Sequence, residues 1–175
     1  MRLCFFHGLD SNPLGTKSRL LRQHYPNCWI PELPPDIYRR VDIVEAGMEG
    51  PMVITGSSLG GLTAIMYAMR HPEMVGGLVL FAPAVGSREG VSIVADKEKG
   101  LLNALYIPKN IPTSIIAGIR DELIPVSAIR DLVQRSPEPE DIMLHEVDDD
   151  HMLHDSLDLI LDAIKGILKR ASDTP

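Results

Sequence analysis

The sequence predicts an α/β fold, with about six mostly parallel strands in one sheet and helices on both faces. Three observations lead there. Short runs rich in β-branched and aromatic residues are continuously apolar rather than alternating, the pattern of strands buried on both faces. Each run is followed by a segment with helical apolar spacing, which favours parallel strands joined by helical crossovers. The 175 residues are 45% hydrophobic and 23% charged, enough for one buried core without disulfides or metal.

In chain order, residues 3–6 (Leu3-Cys4-Phe5-Phe6) read as a buried strand, and 12–24 as a helix with Leu20 and Leu21 on its apolar side. A short strand is expected at 28–30. The breaker Pro34-Pro35 precedes a helix over 36–46. A strand over 51–55 leads to a helix over 59–70, which stops before Pro72. Further strands are expected at 78–82, 113–117 and 142–147, with helices at 126–134 and 156–169. In the last helix Leu157, Ile160, Leu161, Ile164, Ile167 and Leu168 recur at three- and four-residue steps and form one apolar face. Asp155 or Ser156 is positioned to cap it.

Residues 85–110 mix Gly, charge and Pro with an apolar patch of Leu101, Leu102, Leu105, Tyr106 and Ile107. They read as an insertion over one end of the sheet, either a lid or ordinary core. One domain over 1–171 is expected, with 172–175 as a polar tail.

Charge and cysteine usage narrow the function. A net charge of −7 without a Lys/Arg cluster excludes an electrostatic nucleic-acid or anionic-membrane binder. Two cysteines, Cys4 and Cys28, make no disulfide framework. No apolar stretch approaches membrane-spanning length, and the apolar start meets His7-Gly8 too soon for a signal segment. The cytoplasm is therefore the expected compartment and a small molecule the expected partner, with oligomeric state left open.

The chemistry centres on Gly56-Ser57-Ser58-Leu59-Gly60, a G-x-S-x-G between a strand and a helix. That setting is what a nucleophile elbow requires. The turn is tight, so small residues are needed two before and two after the nucleophile. Gly56 and Gly60 meet that need for Ser58, whereas Thr55 and Leu59 do not meet it for Ser57. A nucleophilic serine needs donors for the oxyanion formed on attack. The backbone amide of Leu59, next after Ser58, is one candidate. The amide of Leu9, just after the strand that ends in His7-Gly8, is the other. His7 itself reads as a packed loop histidine.

Ser58 is inert at neutral pH without a base. In chain order an acid should follow a later strand and a histidine the last strand. Asp121 is the first carboxylate after the strand at 113–117, with Glu122 the runner-up. His151 follows the strand at 142–147. His154 competes from nearer the last helix, and His145 lies within the strand. His24 and His71 end helices, where an imidazole is structurally ordinary. The run Asp148-Asp149-Asp150 beside His151 reads as a polar turn.

Taken together, Phe6 to Ser11 with Lys17, the elbow Gly56 to Gly61, Gly118 to Pro125 and Asp150-His151 resemble the α/β-hydrolase superfamily, and within it the small bacterial YqiA-like serine esterases. The passage from His71 to Ala84 is similar to the helix-to-strand segment after the nucleophile in many α/β-hydrolases. The resemblance extends from Leu3 to about Leu168. It implies a compact fold without a large cap, and hydrolysis of esters or thioesters by a Ser/Asp/His triad with no cofactor and no metal. The expectation is a carboxylic ester hydrolase using Ser58, Asp121 and His151. A thioesterase with the same triad is the first alternative, and a non-catalytic binding domain on a hydrolase fold the second. A Rossmann-type nucleotide binder is disfavoured, because His7-Gly8-Leu9 stands where G-x-G-x-x-G would follow the first strand.

Overall fold

The computed structural model describes residues 1–86 and 99–173. Among the described residues five strands form one wholly parallel sheet in the order β1-β2-β3-β4-β5. They are β1 (Arg2–Phe6), β2 (Met52–Ser57), β3 (Val75–Phe81), β4 (Thr113–Gly118) and β5 (Ile142–Val147). The helices are α1 (Thr16–His24), α2 (Ile37–Gly47), α3 (Leu59–Arg70), the single turn α4 (Lys99–Leu102), α5 (Val126–Arg135) and α6 (Leu157–Asp173). One face of the sheet packs Leu3, Phe5, Val53 and Val79 against Leu21 of α1 and Ile160, Ile164 and Ile167 of α6. The other packs Cys4, Phe6, Ile54 and Leu80 against Val41 and Val44 of α2, Leu62 and Ile65 of α3, and Ile129 and Leu132 of α5. Covering both faces is what makes β1 to β4 read as unbroken apolar runs.

The sixth strand is reduced to a bridge. Residues 28–30 pair with β1 only through Trp29 opposite Cys4, with Trp29 N–H donating to Leu3 O at 3.0 Å and Phe5 N–H to Trp29 O at 2.9 Å. Pro31 follows and has no N–H with which to extend the ladder. This bridge nonetheless sets the topology. After β1 the chain moves outward to β1's free edge, then crosses back through α2 to β2 on the other side. The order reverses at β1/β2, and in open parallel sheets the crevice at such a reversal, outside the carboxyl ends of the strands, is where ligands bind.

Several boundaries move for local reasons. The first helix begins at Thr16 rather than Asn12, because Asn12 builds a turn. Its side chain accepts from Leu14 N–H at 2.8 Å and its carbonyl from Gly15 N–H at 3.0 Å. Asp36 caps α2 by accepting from Arg39 N–H at 2.9 Å. Strand β3 starts at Val75, three residues before the expected Leu78, and so takes in Gly76-Gly77. Helix α6 continues through Ser172 and Asp173, which were expected as tail. Leu102, Leu105 and Ile107 are buried in the core, so that part of 85–110 is ordinary packing, while residues 87–98 of the expected insertion and residues 174–175 lie outside the described residues. Among the described residues no cap domain covers the sheet, and no helix is long and apolar enough to cross a membrane.

Candidate active site

Ser58 sits between β2 and α3 with φ 52° and ψ −117°, a strained conformation for a residue with a side chain. The surroundings hold it there. Its N–H donates to Phe81 O at 2.9 Å, and its carbonyl accepts from Gly61 and Ala84 N–H. The strand and helix meet so closely that a Cβ on Gly60 would stand 1.9 Å from Phe6 O, and one on Gly56 would stand 2.5 Å from Gly60 O. Helix α3 then runs into the core, with residues 59–68 all buried.

The carboxyl end of β4 brings in Asp121, which is 1% exposed. Its Oδ1 accepts from the amides of Leu123 and Ile124, each at 2.8 Å, which fixes the carboxylate plane. His151 arrives from the loop after β5. Its Nδ1 faces Asp121 Oδ2 at 2.8 Å and its Nε2 faces Ser58 Oγ at 3.0 Å. An ionised carboxylate only accepts, so Nδ1–H donates to Asp121 and Nε2 is left to accept from the Ser58 hydroxyl.

Two loops must approach closely for this to happen. Gly118 permits it, since a Cβ there would stand 2.5 Å from Asp149 O and 2.6 Å from Asp150 O. Ile119 N–H donates to Val147 O at 2.8 Å and Arg120 N–H to Asp149 O at 3.0 Å, stitching the loops together. The acidic run is used up in building them. Asp148 pairs with Arg120 at 2.7 Å, Asp150 accepts from Met152 N–H at 2.7 Å, and Asp149 accepts from Ser156 Oγ at 2.8 Å and Asp155 N–H at 3.0 Å.

Ser58 and His151 line a cavity of about 340 Å³ together with Gly8, Leu9, Leu123 and Met152. His154 also lines it, but the contact with Ser58 Oγ is made by His151. His145 is half-buried within β5. His71 accompanies Glu45 at 3.0 Å beside the end of α3, an ordinary surface pairing. His7 is 1% exposed and accepts from Leu33 N–H through Nε2 at 3.2 Å, which gives it the packed role expected of it. Among the described residues no group of three or more His, Cys, Asp or Glu side chains could hold a metal ion.

Sequence comparison matches residues 36–109 to the family described as serine aminopeptidase, S33. No curated protein matches the chain. Three solved structures superpose over nearly all of it. Alpha/beta hydrolase domain-containing protein 10 from mouse is 18% identical, with TM-score 0.76 over 96% of this chain and 89% of that one. Est1E from Butyrivibrio proteoclasticus is 14% identical, with TM-score 0.73 over 98% and 89%. The monoacylglycerol lipase of Paleococcus ferrophilus is 14% identical, with TM-score 0.72 over 96% and 94%.

The chain has the α/β-hydrolase fold.

Within that α/β-hydrolase frame, every residue singled out for the site lies at the carboxyl ends of the strands. Leu9 follows β1, Ser58 and Leu59 follow β2, Asp121 follows β4 and His151 follows β5. Sequence reasoning missed Arg40. It is wholly buried on α2, and its guanidinium donates to His7 O at 2.7 Å and to Gly8 O at 3.3 Å. An arginine next to Arg39 in an amphipathic helix carries no signal of burial, so nothing local marked it.

Proposed function

We propose that this chain is a serine hydrolase that cleaves carboxylic esters through an acyl-enzyme on Ser58. The observation that carries the reading is the chain of contacts from Ser58 Oγ to His151 Nε2 at 3.0 Å and from His151 Nδ1 to Asp121 Oδ2 at 2.8 Å, beside an open cavity. In this reading His151 takes the hydroxyl proton as Ser58 Oγ attacks the acyl carbon. Asp121 holds the ring and stabilises the imidazolium. The amides of Leu9 and Leu59 receive the oxyanion. His151 then protonates the departing alcohol, and water, deprotonated by the same ring, releases the acid. Ser58 supplies the nucleophile and His151 carries every proton transferred, so this route calls for no cofactor.

The monoacylglycerol lipase named among the similar structures fits this reading, as does the motif resemblance to small YqiA-like esterases. The same acyl-enzyme serves a thioester, and the matched family's name adds an amide-cleaving precedent. Matched oxygen-ester, thioester and amide substrates of one acyl chain rank the three by kcat/KM. The proposed partner is a small-molecule ester or thioester in the cytoplasm, neither nucleic acid nor membrane. The buried free thiols of Cys4 and Cys28 and the charge of −7 support that setting.

The decisive experiment is labelling by a fluorophosphonate probe alongside hydrolysis of p-nitrophenyl esters. Ser58 should be labelled, and Ser58→Ala should lose the label and lower kcat by about 10⁴-fold or more. Folded wild-type protein that neither labels nor hydrolyses would favour the non-catalytic binding domain.

A further inference from the structure

The Gly8–Leu9 peptide is held by two side chains that no step above uses. His7 Nε2 accepts from Leu33 N–H at 3.2 Å, so in the neutral ring the proton sits on Nδ1, which donates to Gly8 O at 2.9 Å. Arg40 Nη2 donates to the same oxygen at 3.3 Å, Nη1 donates to His7 O at 2.7 Å, and Nε donates to Pro34 O. Arg40 is 0% exposed and is the largest fully buried side chain among the described residues. Burial alone pulls its guanidinium down to about 10, which leaves it cationic at neutral pH. A buried cation compensated by carbonyls is seldom the most stable choice, because well-packed apolar groups of similar volume often do as well or better. Its burial therefore asks for another explanation.

Peptide geometry supplies one. A trans peptide is planar, with C=O and N–H pointing in opposite directions. Fixing Gly8 O on the α2 side therefore turns Leu9 N–H to the opposite side. Gly8 and Leu9 line the cavity with Ser58, and a Cβ on Gly8 would stand 3.4 Å from Ser58 Cβ. We infer that Arg40 and His7 are positioning residues for the oxyanion hole, holding the Gly8 carbonyl so that the Leu9 amide points at the space beside Ser58. The inference rests on the reading of Ser58 as nucleophile and adds how the second donor is held. Two donors on one carbonyl also polarise that peptide and strengthen its N–H as a donor.

The test compares Arg40→Met, His7→Leu and His7→Asn with wild type. For each, kcat and KM are measured on a p-nitrophenyl ester, with the inhibition constant of a trifluoromethyl ketone, whose tetrahedral adduct with serine carries an oxyanion. Rates are compared at a temperature where melting curves show every variant folded. Arg40→Met and His7→Leu should lower kcat by about 10- to 100-fold with KM changed by less than about twofold, and should weaken the ketone by a matching factor. His7→Asn, whose amide nitrogen stands near the place of Nδ1, should recover most of the loss. A folded Arg40→Met or His7→Leu with kcat within about twofold of wild type overturns the inference, as does lost kcat without lost ketone affinity. If Arg40→Met does not fold, the His7 pair decides, and His7→Asn no better than His7→Leu overturns it. Retained activity in Ser58→Ala overturns both this and the underlying function. An inactive Ser58→Ala beside fully active His7 and Arg40 variants overturns the positioning role alone.

Discussion

At the scale of single residues, the candidate site depends on atoms that leave no room for alternatives. Gly60 approaches the backbone of β1's end, where Phe6 O would lie 1.9 Å and His7 O 2.8 Å from an added Cβ. Neither oxygen belongs to a flexible side chain that can swing away. Gly60→Ala should lose about 3 kcal/mol or more of stability by urea unfolding, or fail to fold. Gly166→Ala is the control. Nothing lies within 4 Å of its Cβ, and its helical φ is negative, so it should gain about 0.5–1 kcal/mol. Asp121 supplies a second residue-scale prediction. Two backbone amides already fix its Oδ1, which leaves Oδ2 aimed at His151. Asp121→Asn places an amide where the acceptor belongs and disfavours the required tautomer. Steady-state kinetics should show kcat about 10³- to 10⁴-fold lower with KM little altered.

At the scale of elements, the loop from β5 to α6 delivers His151, and Asp149 is its anchor. Asp149 is 3% exposed. Burial pushes its carboxyl up, but hydrogen bonds from Ser156, Asp150 and Asp155 outweigh burial and hold it below the ordinary carboxylate range. On acidification the unfolded chain therefore takes up the proton first. The stability this contributes is full above a pH of about 4, the unfolded value, and is lost as pH falls through the lower folded one. Asp149→Asn should cost about 1–3 kcal/mol at neutral pH by removing acceptors from Ser156 Oγ and Asp155 N–H. The gap between mutant and wild-type urea midpoints should narrow below about pH 4. A gap constant with pH would mean that charge plays no part in the anchor.

At the scale of the whole molecule, the sheet separates stability from chemistry. Ile164 is fully buried on the α6 face of the sheet, in the core that includes Val79 and Ile116. None of the side chains bonded to Ser58 or His151 belongs to α6. Ile164→Ala should cost about 2–5 kcal/mol of unfolding free energy through lost transfer and a residual cavity. Its kcat on a p-nitrophenyl ester should remain at the wild-type value at temperatures where it stays folded. A fall in kcat matching the fall in stability would show that the α6 face and the site are coupled.

The parallel sheet, its two covered faces and the elbow at Ser58 were legible in the sequence, because all three are local. Apolar runs, helical spacing and glycines two either side of a serine are fixed by steric and periodic rules that act over a few residues. The order Ser, Asp, His along the chain also singled out Asp121 and His151. Other features depended on what lies across space. Whether 28–30 forms a strand turned on a single bridge to Cys4, and the start of β3 at Val75 rather than Leu78 turned on the neighbouring strand β2 that pairs with it. The contact that sets His151 apart from His154 forms only where the β4 and β5 loops meet at Gly118. Arg40 was the most hidden of all. A guanidinium is placed in a core only when distant carbonyls are already there to receive it, and Pro34, His7 and Gly8 converge on it only in the folded chain.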